Sequence, residues 1–383
     1  MTDPYIPQKQ LSRLQKSVTA NRVVVLYGPR RVGKTTLIRE YHRRHDPEAL
    51  LVSGEDIAVR EYLESQSLAK LRAFVGRRQT LIIDEAQHVR EIGLNLKLLA
   101  DHVDGLRIIA TGSSSFDLAQ QAGEPLTGRK VTLLLLPLAQ LELQGVETAH
   151  ETRAQLEMRL VYGSYPEVVL MASSEDREIY LRELIGSYLF RDILQLEGVR
   201  HADKLLRLVQ LLAFQVGREA SLSELGSQLG MSRNTVGRYL DLLEKAYVIY
   251  GRVGFSRNLR KEIAKSRRYY FYDNGIRNGL INNFNPLSMR DDAGLLWENY
   301  VQAERLKFNL YTGRFAQSYF WRTYDRQEID LVEERGGELR AAEMKWSARS
   351  SARPPKGWRD AYPGSSFRVV DPENYLDFIS EPP

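Results

Sequence analysis

The chain has 383 residues, 43% of them hydrophobic and 27% charged, with 54 Lys and Arg against 49 Asp and Glu and no cysteine. That length suggests two or three domains, each with enough apolar residues for a core. Without cysteine, disulfides and thiolate metal sites are excluded, and a net charge of +5 permits a polyanion partner without establishing one.

The N-terminus lacks a basic stretch followed by an apolar one, so no secretory signal is read there. The most apolar run, Leu133 to Leu136, is far too short to span a bilayer. A cytoplasmic protein with no membrane partner is the expectation. Gln8 to Val18 reads as a short helix, and Val23-Val24-Val25-Leu26 as a buried strand. Gly28, Pro29, Arg30, Arg31, Val32, Gly33, Lys34, Thr35 and Thr36 follow, with Thr36 to Tyr41 reading as a helix. This is G-x-x-x-x-G-K-[ST] in its strand–loop–helix setting. Glycines without a Cβ let the loop close on phosphate, and the helix N-terminus then faces the anion. Lys34 is expected on the β- and γ-phosphates of ATP, and the Thr35 hydroxyl on Mg²⁺.

Ala49 to Val52 reads as a second strand and Glu61 to Phe74 as a helix. Thr80 to Ala86 gives a third strand closed by Asp84 and Glu85. Asp84 is expected in the Mg²⁺ shell, and Glu85 to orient and activate the attacking water. Arg107 to Ala110 is a fourth strand, ending in Thr111-Gly112-Ser113-Ser114-Ser115. Strands alternating with helices indicate a parallel, doubly wound α/β sheet with its ligands at the carboxyl ends of the strands. Thr111 or Ser113 is then placed to sense the γ-phosphate or the water, and the serines serve equally as a helix N-cap. Arg129 is read two ways: as an arginine finger, in its own subunit or across an interface, or as a turn arginine on the surface.

These motifs, with Leu126-Thr127-Gly128-Arg129 and Leu136-Pro137-Leu138, resemble the prokaryotic AAA+-type ATPases of the AAA_14 group. Tyr162-Gly163-Ser164-Tyr165-Pro166-Glu167 is similar to the Gly-Gly-Tyr-Pro-Glu stretch of such proteins, with Ser164 in place of a glycine. The resemblance implies a C-terminal DUF4143 region and extends from about residue 20 to about residue 350. Thr111 and Ser113 stand where the sensor asparagine is usual.

Ala154 to Tyr162 and Glu178 to Leu196 read as connector helices, the second carrying Arg182 and Arg191, which either touch a neighbour's nucleotide or are structural. Leu222, Leu225 and Leu229 line one helix face, Gly230-Met231-Ser232 forms a turn, and Val236, Leu240 and Leu243 line a second helix. Tyr247 to Tyr250 and Val253 to Phe255 complete a winged helix-turn-helix as a β-wing. In a DNA reader the start of the second helix meets the bases. Arg233, Asn234, Thr235 and Arg238 stand there and suit guanine and adenine, although a winged helix used only for packing has the same pattern. Arg252, Arg257, Arg260, Lys261, Lys265, Arg267 and Arg268, opposed locally by Glu262 alone, form a candidate phosphate contact.

Gly294 to Leu306 reads as a helix with Glu298, and Gln327 to Val332 and Leu339 to Trp346 as strands joined through Gly336-Gly337. Alternation puts Glu328 with Asp330 and Glu343 with Lys345, and sends Ile329, Leu331 and Met344 into a core. Glu298, Asp330, Glu343 and Lys345 resemble the residue order of a PD-(D/E)xK, restriction-endonuclease-like domain. Such a site binds Mg²⁺ through its carboxylates, while a degenerate copy of the fold serves packing or docking. Four segments are expected: the AAA+-type P-loop ATPase at 1–148, a helical connector or lid at 149–200, a winged helix at 201–280 and the nuclease-like domain at 281–383. The reading is an ATP- and Mg²⁺-dependent ATPase, favouring homo-oligomers, that remodels or processes DNA, possibly branched. The alternative is a signalling or defence switch whose C-terminal domains bind protein.

Overall fold

β-branched runs closed by turn residues make the first sheet. A computed structural model describes residues 5–112, 126, 128–189, 202–257, 266–347 and 353–380. Contacts divide the chain into two compact units, 1–136 with 245–247, and 137–244 with 248–383. In the first unit, β1 (Arg22–Tyr27), β2 (Leu50–Ser53), β3 (Thr80–Asp84), β4 (Arg107–Gly112) and β5 (Lys130–Leu134) form a five-stranded sheet in the order β2-β3-β4-β1-β5. All pairings are parallel, with Val24 opposite both Ile109 and Val131.

Helices α1 (Gln10–Ser17), α2 (Lys34–His45), α3 (Ile57–Leu63), α4 (Leu68–Val75) and α5 (Ile92–His102) belong to this unit. Because both faces of a parallel sheet are covered, its strands are continuous apolar runs. Val23, Val25, Leu81, Ile83, Ile108 and Ala110 share one core with Leu71, Leu96 and Leu99. Full burial of each Val, Leu or Ile side chain contributes about 1.5–3 kcal/mol. The single helix expected over 61–74 is instead two. Gln66 takes a left-handed φ of 49° and its N–H donates to the Asn95 side chain at 2.9 Å, which breaks the helical ladder.

In the second unit, α6 (Leu156–Tyr162) is followed by α7 (Ser174–Glu183), whose final turn opens into a wider π-turn over Leu184–Leu189. Gly163 ends α6 at a φ of 78°, and a Cβ there would collide with the Asp273 carboxylate. That carboxylate accepts from the Ser164 N–H at 2.7 Å and the Ile276 N–H at 3.2 Å. The Gly163-Ser164 pair is therefore a docking turn around a buried aspartate. Burial raises the Asp273 pKa, with Lys307 and these N–H groups opposing the rise.

Next come α8 (Ala202–Phe214), α9 (Leu222–Leu229) and α10 (Arg233–Lys245). Gly230 caps α9 in the left-handed conformation, and the Ser232 hydroxyl accepts from the Thr235 N–H at 3.1 Å, as the sequence suggests. Strands β6 (Glu219–Ala220), β7 (Ile249–Val253) and β8 (Arg267–Phe271) form a three-stranded sheet in the order β6-β8-β7. The partner of β7 is β8, antiparallel with Tyr250 opposite Tyr270, rather than residues 253–255. Gly254 instead bridges to Phe320.

Helix α11 (Asn274–Leu280) and the long α12 (Ala293–Thr312) lead to β9 (Gln317–Arg322), β10 (Glu328–Arg335), β11 (Glu338–Met344) and β12 (Ser366–Val370). These strands form a four-stranded sheet in the order β12-β11-β10-β9. Only β11–β12 is parallel. A register shift between Ile329 and Val332 breaks strict alternation along β10. Leu331 consequently packs with Trp297, Ala342 and Met344, while Ile329 packs with Trp321 and Trp358 on a separate cluster. The shared face expected for Ile329 and Leu331 is thus corrected by one bulge. Tyr375 packs into the first of these clusters and Trp358 into the second.

Candidate functional site

The carboxyl ends of β1, β3 and β4 converge on one hydrogen-bonded set. Gly28 turns the chain out of β1 at a point where a Cβ would collide with the Leu135 carbonyl oxygen. Pro29 and Val32 are buried, Arg30 is half-buried, and Arg31 and Thr36 are exposed. Gly33, at a φ of 93°, starts α2. Lys34 is only 5% exposed, and its Nζ donates to the Gly28 and Pro29 carbonyls at 2.9 and 2.8 Å. Its ammonium thus lies inside the loop, in reach of an anion seated there.

Thr35 Oγ1 donates to Asp84 Oδ2 at 2.7 Å, joining the start of α2 to the end of β3. Thr111, fully buried at the end of β4, donates from Oγ1 to Asp84 Oδ1 at 2.6 Å. The Glu85 N–H donates to that same hydroxyl at 3.0 Å. Glu85 holds a left-handed φ of 51°, which is uncommon for a residue with a Cβ and clusters at working sites. Its carboxylate accepts from the Gln87 side-chain amide. The oxygen donors of Thr35 and Asp84 suit Mg²⁺, and a buried lysine at a helix N-terminus suits phosphate. Sequence reasoning places Thr111 or Ser113 as a sensor; here the Thr111 hydroxyl bonds both Asp84 and the Glu85 N–H.

Arg129 pairs with Asp101. It precedes β5, at the amino-terminal edge of the sheet, because Val23 at the start of β1 stands opposite Lys130. The phosphate loop leaves the opposite edge. Arg129 is therefore not positioned for the nucleotide of its own subunit. Ser113 and Arg191 lie outside the described residues, and Arg182 pairs with Glu178 at 3.4 Å.

Arg233, Asn234 and Arg238 are exposed at the start of α10. The basic run behaves differently. Arg257 pairs with Glu334 at 2.7 Å, Arg267 stands 4.0 Å from Glu244, and Arg252 lies over the Tyr250 ring at 5.2 Å. Arg260 lies outside the described residues. Carboxylates distant in sequence thus offset charges that look unopposed locally.

In the second unit, α12, β10, β11 and β8 bring Glu298, Asp330, Glu343 and Lys345 into one electrostatic cluster. Lys345 Nζ donates to Glu343 Oε1 at 2.7 Å, and the Met344 N–H donates to Asp330 Oδ2 at 2.8 Å. Tyr270 donates from its hydroxyl to Glu298 Oε1 at 2.7 Å. Burial, with the charges of Glu328 and Glu343, pushes the Glu298 carboxyl up to about 7 against the Tyr270 hydrogen bond and Arg268. Burial and the charges of Glu298 and Glu343 raise Asp330 well above the ordinary range.

Arg268 was read as part of a surface run, but it is 4% exposed. It donates to Glu328 at 2.8 Å and stands 3.9 Å from Asp330. Its guanidinium supplies positive charge where a divalent cation would do so. Among the described residues no group of three or more His, Asp or Glu side chains is arranged to hold a metal ion. The available signal was the alternation Arg268, Tyr270 on β8, which aims both side chains at one face.

Models of known families match three segments. One described as an AAA domain matches residues 20–144. Two described as domains of unknown function, DUF8612 and DUF4143, match residues 153–287 and 293–377. A Mycobacterium tuberculosis protein described as uncharacterized is 30% identical over 344 residues, 89% of this chain and 74% of that protein. A Haemophilus influenzae protein is 25% identical over 362 residues, 87% of this chain and 84% of its own. A Methanocaldococcus jannaschii protein is 26% identical over 306 residues, 74% of this chain and 66% of its own. Both carry the same description as the mycobacterial protein. Among the described residues no helix is long and apolar enough to cross a membrane.

Proposed function

The chain belongs to the family that joins an AAA domain to a DUF4143 region, and from that premise we propose that it is an ATPase whose turnover drives its second unit on DNA. The observation that carries the ATPase reading is the set linking Lys34, Thr35, Asp84, Thr111 and Glu85 at the strand ends. Lys34 binds the β- and γ-phosphates, and the loop's amides and the start of α2 orient them. Thr35 and Asp84 would hold Mg²⁺, which supplies charge neutralisation when bound. Glu85 takes the proton of the attacking water. Turnover is favoured in a cytoplasmic homo-oligomer, where Arg129 or Arg182 would act across an interface.

The turn between α9 and α10, the exposed Arg233, Asn234 and Arg238, and the neighbouring β7–β8 pair support a winged helix that contacts DNA. The order Glu298 on a helix, Asp330 and Glu343 on two strands, and Lys345 just after the second supports a nuclease-like fold. Arg268 favours a second reading, in which that fold is inactive and the second unit binds protein as part of an ATP-driven switch. ATPase rate with and without single-stranded, duplex and four-way-junction DNA separates the two. Stimulation by DNA is the outcome for a DNA machine, and an unchanged rate with all three is the outcome for the switch.

A further inference from the structure

The positive charge of the chain is concentrated at its start. Residues 1–48 hold ten of the 54 Lys and Arg and four of the 49 Asp and Glu, so the remaining 335 residues carry 44 against 45 and are close to neutral. The basic residues form stripes on the two helices of that stretch. Lys9, Arg13 and Lys16 stand at i, i+4 and i+7, beside the inward-facing Gln10 and Leu14 of α1. Arg39 and Arg43 stand at i and i+4 on α2, away from its buried Leu37, Ile38 and Tyr41. Lys9, Lys16, Arg39, Arg43 and Arg44 are exposed, and Arg13 is half-buried. Helix α1 packs beside α2, and the Arg44 guanidinium lies over the Tyr5 ring at 5.9 Å, so the stripes belong to one region of the first unit.

Glu40 offsets part of this charge, pairing with Arg43 at 2.7 Å and with Arg44. The helix dipole accounts for another part: Lys16, Arg43 and Arg44 sit in last turns, where positive charge is favourable. Lys9, at the N-cap of α1, works against the dipole, Arg39 in mid-helix gains nothing from it, and neither helix has an acidic residue in its first turn. Fold stability therefore does not call for these cations. The chemistry of the region narrows what does. Among the described residues, no large hydrophobic side chain on α1 or α2 is exposed. A helix lying in a membrane surface buries apolar side chains beside its basic ones, and a protein interface is anchored by aromatic or apolar groups. Neither kind of anchor is offered. A partner bound by charge alone, at positions about 6 Å apart along a helix, is a phosphate backbone.

We propose that α1 and α2 carry a docking surface for the phosphate backbone of duplex DNA, held through Lys9, Arg13, Lys16, Arg39 and Arg43 without regard to sequence. This contact belongs to the unit that carries the phosphate loop. It uses residues other than those of α10 and does not require that α10 read bases. Each exposed cation that meets a phosphate releases a counterion, so the surface is read out in the salt dependence of binding.

The test is binding of two duplex DNAs of unrelated sequence to the full chain, without nucleotide, over a range of salt. Lys9→Gln, Lys16→Gln and Arg39→Gln together remove three exposed charges from the surface. Lys70→Gln, Arg77→Gln and Lys97→Gln remove three exposed charges from elsewhere in the same unit and serve as the control. The first set should reduce the slope of log affinity against log salt by about two to three, at ~0.9 per phosphate contact, and equally for both duplexes. The control set should keep the parental slope. A parental slope in the first set, an equal change in the control set, or a parent that binds neither duplex would overturn the proposal. Phosphatidylserine vesicles that bind the parent and not the first set, with the DNA slope unchanged, would assign the surface to a membrane instead. A parent unaffected by Arg233→Ala with Asn234→Ala, but reduced in slope by the first set, supports the surface and counts against α10 alone.

Discussion

Thr111→Val isolates the role of one buried hydroxyl. The substitution keeps the β-branched shape at the end of β4 and removes the only atom of Thr111 that touches the site. In the structure that atom donates to Asp84 Oδ1 at 2.6 Å and accepts from the Glu85 N–H at 3.0 Å. When Thr35 turns from Asp84 to a cation, the Thr111 hydroxyl is the side-chain donor still holding Asp84 in place. A hydrogen bond to a charged group contributes about 1.5–3 kcal/mol. Transferred to the transition state, that is about tenfold to a hundredfold in kcat/KM. The Glu85 N–H retains only its longer contact to Asp84 Oδ1 at 3.2 Å, which loosens a residue already in a left-handed conformation. The assay is steady-state phosphate release with Mg²⁺ varied, comparing Thr111→Val with Thr111→Ser. Valine should lower kcat/KM and raise the Mg²⁺ requirement, and serine should restore most of both. Wild-type kinetics in the valine protein would refute the orienting role.

Asp292 accepts from Arg290 and Arg277, whose side chains are 0% and 1% exposed. Asp292→Asn should therefore destabilise the second unit by about 3–5 kcal/mol in denaturant titration, because it strands two buried cations. Burial alone would raise the Asp292 carboxyl, but hydrogen bonds and charge from Arg290 and Arg277 hold it at about 2, against 3.8 ordinarily. A folded pKa below the unfolded one means the stabilisation is complete above about pH 4 and fades as pH falls toward 2; a wild-type denaturation profile flat over that window is the contrary result. Arg268→Gln, with Lys34→Ala to silence the phosphate site, should raise Mn²⁺ affinity in calorimetry, and an unchanged titration would show that the guanidinium is not what opposes the cation. Charge reversal at Arg257 and Arg267 should flatten the salt dependence of DNA binding less than two fully exposed cations would, since Glu334 and Glu244 already offset them; Arg233→Ala with Asn234→Ala should alter sequence preference in a binding competition, and identical preference counts against base reading by α10.

The phosphate loop was legible because its chemistry is a run of adjacent main-chain groups, written in nine consecutive residues from Gly28 to Thr36. The end of β3 was legible for a related reason: a buried strand that stops in two carboxylates announces where solvent and ligand begin. The parallel sheet followed from its apolar runs. Other features depend on partners that only folding brings together. Arg268 meets Glu328 and Arg257 meets Glu334 across intervals far longer than any local window, so a run that looked like a bare cationic patch is partly neutralised. One bulge in β10 moved Ile329 and Leu331 to different cores, which strict alternation cannot express. Gly163 looked like part of a family motif, and its reason is an aspartate, Asp273, from a different helix start.

The central claim is that Glu85 activates water on a nucleotide held by Lys34. Its most direct test measures ATP binding and phosphate release on the same preparation of Glu85→Gln, with Lys34→Ala alongside. Glu85→Gln keeps the shape and loses the base, so it should bind ATP as the parent does and release phosphate on the order of a hundredfold more slowly or worse. Lys34→Ala should lose binding itself. Parental turnover in Glu85→Gln, or parental ATP affinity in Lys34→Ala, would contradict the account.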